Sequence, residues 1–354
     1  MWRSSSRRAC CRLRGERPWS YPPTARRPRR PPAGGRGTSS KRGSPELPNF
    51  RTPGTSFSTL GAMKARLYRS AEELKGFSVK NCPTMPAPTS VLMCAPDHFA
   101  ASPDHVPSEP ERNKARAEWD GVRAAFEALG RPVKLLDAAP GLPHMTFTAT
   151  HSLTGVTPRM EKVCLLGQSR RPSRRGEAER LEAWFRAAGY QVEKPRDPAL
   201  AFEAGADCAW HPGRRLLWGA HGFRTDPEAY EPAAEAFEAP VLLLKLVNER
   251  FMHLGTCFRP LTPEAVLIVP AAFDPVSLEL ILKIFPIVLA ADEREAASMM
   301  PCGAAVVDGT AVLEAGATAS AGHLHAIGLV IKPVETREFL KAGASVAALA
   351  ANLY

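Results

Sequence analysis

The sequence predicts an α/β protein. Short apolar strands alternate with amphipathic helices from Val91 onward, the helices stop at glycine, and neither element type forms an unbroken run. The first strand is Ser90–Cys94, five residues without a charge. The segment 113–129 follows with helical period. Trp119, Val122, Ala125, Phe126 and Leu129 fall on one stripe, and Gly130 supplies the left-handed stop. Val133–Leu136 is the next strand. The unit then recurs: a helix over 177–188 carries Leu181, Trp184 and Phe185 on one face, Gly189 closes it, and a strand begins at Tyr190. Asp274-Pro275 opens a helix over 276–285, with aspartate at the N-cap and proline at the first helical position. Strands at Val266–Val269, Ala304–Val307 and Ala311–Leu313 fill the intervals. The alternation continues to the C-terminal region with no GxGxxG or Walker A pattern, which argues against a nucleotide-binding sheet.

Charge divides the chain unevenly. Of a formal net charge of +10, residues 1–50 carry +11, from 13 Lys and Arg against Glu16 and Glu46, so the remainder is close to neutral at about −1. A near-neutral body argues against a nucleic-acid surface on the folded domain. Residues 1–62 are rich in Arg, Pro, Ser and Gly and poor in aliphatics, a composition that buries too little apolar area to offset chain entropy. Three readings of that segment stand side by side: a mitochondrial transit peptide, a tail for nucleic acid or another anionic surface, and an extension preceding a working start at Met63 or Met85. The domain organisation expected is a disordered basic extension and linker over 1–84 and a folded domain over 85–354. No apolar run approaches a membrane span.

The eight cysteines (Cys10, Cys11, Cys82, Cys94, Cys164, Cys208, Cys257 and Cys302) form no CxxC pair, and no secretory apolar segment precedes them. Scattered thiols of this kind suit a reducing compartment, so a cytoplasmic or mitochondrial location is expected, with no cofactor and no metal. Trp184, Trp210 and Trp218 read most simply as core residues.

Seven phrases spread over about 91–350 resemble the guanidine-modifying superfamily of dimethylarginine dimethylaminohydrolases, arginine deiminases and amidinotransferases. They are VLMCAPDHF (91–99), PGLPHMTFTAT (140–150), FEAGADCAW (202–210), RRLLWGAHGFRTD (214–226), FMHLGTCFRPL (251–261), PAAFDP (270–275) and FLKAGASV (339–346). Their order and spacing make the set specific although no single phrase is. The resemblance implies a five-bladed α/β propeller (pentein) of ββαβ-type modules, for which the residues from Met85 onward allow roughly 54 per module. Periodicity alone gives the interleaving of helices and strands but not the fivefold arrangement.

The resemblance also implies a chemistry. A guanidinium carbon is a poor electrophile because its positive charge is shared by three nitrogens. Family members attack it with a cysteine thiolate, move protons with a histidine, and hold the cation with paired carboxylates. Matched phrase by phrase, the histidine is kept as His253 and the glutamate as Glu203, with Asp207 after it in a substrate-binding role. The aspartate two residues beyond the histidine is replaced by Gly255, the glycine before Asp207 by Ala206, and the first substrate aspartate by His144. The nucleophile's position falls on Ala348, with no cysteine after Cys302. The stretch 100–112, where relatives carry a substrate-covering loop, does not match.

These departures lead us to expect a dimethylarginine dimethylaminohydrolase-like pseudoenzyme that keeps the fold to bind an altered ligand in its pore or a protein partner, in a chain that can form homo-oligomers as relatives do. The alternatives are an active hydrolase of a guanidino or related C–N substrate using a relocated residue set, with Cys302 the first suspect, and nucleic-acid binding through the basic tail. His253 is expected to be held by Glu203. A zinc site from His144, His151 and His253 is the metal reading weighed against the expectation of none.

Overall fold

A computed structural model of the chain describes residues 66–102, 104–171 and 174–354. The readings of residues 1–62 fall outside the described residues. The expected boundary at Met85 is corrected, because residues 66–84 are folded. Strand β1 (Leu67–Tyr68) pairs in parallel with a strand of the main fold, Leu74 and Cys82 are buried, and the Pro83 carbonyl accepts from the Arg215 amide at 2.8 Å. Few aliphatics in that segment hid this, since a short strap needs only a handful of buried contacts.

Five sheets of one pattern follow. The first contains β2 (Ser90–Cys94), α1 (Glu109–Ala128) and β3 (Val133–Leu136). The second is β4 (Ser152–Val156), β5 (Lys162–Leu166), α2 (Arg175–Ala187) and β6 (Gln191–Glu193). The third is β7 (Cys208–Trp210), β8 (Leu217–His221), α3 (Tyr230–Phe237) and β9 (Val241–Lys245), with β1 added at its edge. After the short helix α4 (Leu254–Cys257) comes the fourth, β10 (Phe258–Pro260), β11 (Ala265–Ile268), α5 (Pro275–Ile284) and β12 (Ile287–Ala290). Helix α6 (Glu293–Ser298) leads to the fifth, β13 (Ala305–Val307), β14 (Thr310–Glu314), α7 (Thr318–Ala326) and β15 (Val330–Val334). Helix α8 (Arg337–Leu340) and the terminal strand β16 (Ala351–Leu353) complete the chain.

In every module the first strand runs antiparallel to the second, and a helix carries the chain over to a third strand parallel to the second. A parallel pair cannot be joined by a tight turn, so the helix is the connection that the strand order requires. The first module borrows its antiparallel strand from the far end of the chain, where β16 pairs with β2. The five first strands, β4, β7, β10, β13 and β16, all contribute residues to the wall of one cavity. Elements predicted from the sequence lie within a few residues of those observed. Helix α1 starts four residues before the predicted start, because its first turn is polar and is held by a capping box, the Ser108 amide donating to Glu111 Oε2 at 2.9 Å, with Pro110 beside it. Its buried residues Trp119, Val122, Ala125 and Phe126 are those of the predicted stripe. Cys302 sits in a 3-10 turn (Pro301–Gly303). Trp218 is a core residue as expected, whereas Trp184 and Trp210 are partly buried and spend their indole N–H on the carbonyls of Leu135 and Thr154. No helix among the described residues is long and apolar enough to cross a membrane.

Threonines stitch the first module to the second. Thr148 Oγ1 donates to the Leu92 carbonyl at 2.7 Å and accepts from the Ala351 amide at 3.2 Å, and Thr154 Oγ1 donates to the Asn352 carbonyl at 2.6 Å. The C-terminal strand is therefore bound on both sides. A chain ending at Ala350 is expected to lose more than about 4 kcal/mol of stability, since it strips a strand and leaves buried polar groups unpaired. Urea denaturation checks this, and a midpoint within error of the full chain would show that β16 does not close the fold.

Candidate functional site

The cavity at the meeting of the five first strands has a volume of about 750 Å³. His253, Gly255, His144 and Ala348 all line it, so four positions separated by as many as 204 residues in sequence converge on one space.

His253 is the N-cap of α4 and is 27% exposed at its side chain. Its Nδ1 lies 3.0 Å from Asp207 Oδ1. A carboxylate only accepts, so Nδ1 carries the proton toward Asp207. Asp207 is buried, and its oxygens are otherwise taken by the Leu254 amide at 3.1 Å and Thr225 Oγ1 at 2.6 Å. Two expectations are corrected by this arrangement. The partner of His253 is Asp207 rather than Glu203, and Asp207 lies behind the histidine, outside the cavity wall, instead of contacting a ligand. The single turn Ala204–Ala206 explains the exchange, for it separates the two acids and sends Asp207 toward α4. Gly205 in that turn has no room for a side chain, because a Cβ would sit 2.2 Å from the Ala149 carbonyl oxygen. Glu203 turns the other way, accepting from Ser169 Oγ at 2.7 Å and standing 4.0 Å from Arg174 Nη1.

The positions expected to have lost carboxylates carry no anion. At Gly255 a Cβ would meet only the Ala206 carbonyl, at 3.4 Å, so glycine is not demanded by close packing. His144 is buried, and burial, with Arg174 and Arg171 nearby, pushes its pKa down to about 4. It is a neutral imidazole at pH 7, and its Nε2 has no partner among the described residues. Arg174 donates through Nε and Nη2 to Glu177 Oε2 at 3.1 and 2.8 Å, and through Nη2 to Thr150 Oγ1 at 2.8 Å. Ala348 follows Ser345 in the 3-10 turn Val346–Leu349 and presents a methyl group to the cavity.

None of the described cysteines is placed for nucleophilic attack. Burial raises the thiols of Cys82 to about 11 and of Cys94 and Cys302 to about 12, and raises those of Cys164, Cys208 and Cys257 well above the ordinary range. Cys302 is fully buried with its sulfur toward the Leu267 carbonyl at 3.7 Å, which removes it as a relocated nucleophile. No group of three His, Cys, Asp or Glu side chains among the described residues could hold a metal ion. His151 is buried with its pKa pushed down to about 3. Among the described residues of 100–112 none lines the cavity, and Glu111 instead meets Lys341 at 3.3 Å on the outside.

Sequence reasoning missed the orienting role of Asp207, the hydroxyls of Ser169 and Thr225, and the arginines of the wall. The run Arg170-Arg171-Pro172-Ser173-Arg174-Arg175, in an otherwise near-neutral body, was the available signal for the last.

No family model matches the chain. It is 31% identical over 219 residues to the bifunctional arginine dihydrolase/ornithine cyclodeaminase AgrE of Nostoc sp., matching 61% of this chain and 30% of that protein. The chain thus spans about a third of the length of the bifunctional relatives it matches. It is 30% identical over 230 residues to the N(G),N(G)-dimethylarginine dimethylaminohydrolase of Mycobacterium tuberculosis, matching 64% of this chain and 72% of that protein. The product-bound N-terminal domain of ArgZ, a cyanobacterial arginine dihydrolase, superposes with a TM-score of 0.68 at 28% identity, covering 75% of this chain and 97% of that one.

The buried histidine has a measurable signature. The folded-state pKa of His144 is depressed from 6.5 to about 4, so its contribution to stability is complete above pH 6.5 and is lost as pH falls toward 4. Between pH 7 and 4 the wild type should lose up to about 3 kcal/mol more than His144→Gln. Parallel denaturation curves across that range test the burial, and identical pH dependence would contradict it.

Proposed function

The chain belongs to the guanidine-modifying superfamily of dimethylarginine dimethylaminohydrolases and arginine dihydrolases, and from that premise we propose that it is a pseudoenzyme of that superfamily. The observation that carries this reading is the absence of a usable thiol among the described residues. Position 348 is alanine, and each described cysteine is buried with its thiol held protonated. A guanidinium carbon needs a strong nucleophile and anions to hold its charge. Here the nucleophile's place holds a methyl group, and the expected carboxylates are replaced by neutral His144 and by Gly255. Loss of a nucleophile alone commonly costs several orders of magnitude in turnover. We read the five modules as blades of a five-bladed α/β propeller. Their common strand order, the pairing of β16 with β2 and the shared cavity support that arrangement.

One observation favours a second reading. The His253–Asp207 pair has the arrangement of a carboxylate-oriented imidazole at a cavity wall, so a hydrolase that activates water on a different C–N substrate is the competing function.

Citrulline release from arginine, methylarginine and dimethylarginine separates the two. We expect none from the wild type. Turnover that disappears in His253→Ala would replace the pseudoenzyme with the hydrolase. Ala348→Cys is expected to remain inactive on the same substrates, because a restored thiol still faces a cavity without a cation clamp. Strong rescue by that single change would show that the missing carboxylates are dispensable.

A further inference from the structure

The cavity has two ends, and the chain direction of the first strands tells them apart. Before these strands stand the turns Thr148–Thr150, Ala204–Ala206, Pro301–Gly303 and Val346–Leu349 and the helix α4. Each of the five touches the next, in a closed ring. His253, Gly255 and Ala348 belong to this end. The ring residues that line the cavity are small, among them Ala149, Gly205, Gly255, Gly303 and Ala348, so the space runs on past them. After the strands come 211–213, 261–263, 308–309 and Tyr354, which line the same cavity at its far end.

The far end is crossed by the strap. Its last stretch, 84–89, reads Thr-Met-Pro-Ala-Pro-Thr and leads from the third module to the first. At its start Thr84 forms an antiparallel bridge with Arg214, and the Met85 amide donates to the Gly213 carbonyl at 3.2 Å. At its end the Thr89 amide donates to the carbonyl of Leu353, the last residue of β16, at 2.7 Å. The four residues between, 85–88, line the cavity, and Met85 is only 6% exposed, so a flexible thioether fills space there. Pro86 and Pro88 fix their own φ and carry no amide hydrogen, which makes the crossing a stiff span with two fewer donors to satisfy.

We propose that segment 84–89 is a plug. Docked, it closes the far end of the cavity, so ligands exchange through the His253 end; released, it opens a second entrance. The proposal deepens the pseudoenzyme reading by giving its cavity a route of access, and it rests on that reading only in concerning the same cavity. The crossing is held by a few backbone hydrogen bonds and one buried side chain, so its release is a local opening that leaves the five sheets intact.

Thiol labelling of the full chain tests the plug. One reporter, Ala348→Cys, stands at the His253 end. The other, Asn352→Cys, lines the cavity beyond the ring, one residue from the Leu353 anchor. Each protein is treated with a bulky maleimide, and mass spectrometry of its peptides separates the reporter from the native cysteines. Pro86→Gly together with Pro88→Gly gives the released segment more backbone freedom and should speed labelling of Asn352→Cys by about tenfold, with the rate at Ala348→Cys unchanged. Should the double variant fail to fold, Met85→Ala carries the test by removing the buried side chain, with an acceleration of about tenfold or more at the same reporter alone. An unchanged rate at Asn352→Cys overturns the proposal, because the strap then closes nothing. An equal acceleration of both reporters overturns it too, because the strap then acts on the whole fold and not on one end of the cavity. Neither readout depends on turnover, so citrulline formation would sink the pseudoenzyme reading without deciding the plug.

Discussion

The carboxylate of Asp207 is the point on which the site depends. It takes hydrogen bonds from the His253 ring, the Leu254 amide and the Thr225 hydroxyl, three segments that meet only in the folded chain. Thr225 Oγ1 in turn accepts from the Glu203 amide, so the turn carrying both acids is fixed at each end. A buried carboxylate is tolerated only when its lone pairs are occupied, and here three donors occupy them. Through this one group the third module is tied to the start of the fourth, and the imidazole is held in one orientation.

The scaffold that presents His253 to a cavity is intact, with five first strands supplying the wall. The positions that the resemblance assigns to cation-holding carboxylates carry a neutral imidazole, His144, and a glycine, Gly255, and arginines also line the wall. A charge in a partly desolvated space has larger consequences than the same charge on a surface, because solvent screens it less.

The elements were legible because their causes are local. The stripe from Trp119 to Phe126, the Asp274-Pro275 helix start and the glycine stops at Gly130 and Gly189 each depend on a few neighbouring residues, and each is where the sequence places it. The start of α1 at Glu109 was obscured because a capping box among polar residues carries no hydrophobic period. The strap over 66–84 was read as linker for a related reason: its order comes from pairing with β9 and packing on distant residues, not from its own composition.

The sequence by itself determined the α/β alternation, the identities of His253, Glu203, Asp207, Gly255, His144 and Ala348, and the absence of a thiol beyond Cys302. Only the tertiary structure decided which acid holds the histidine and that the described cysteines are inert through burial. The physical reason is one of range. Helix stops, caps and residue types are fixed by chemistry within a few positions, whereas hydrogen-bond partners, desolvation and the lining of a cavity are properties of side chains brought together from 46, 109 or 204 positions apart.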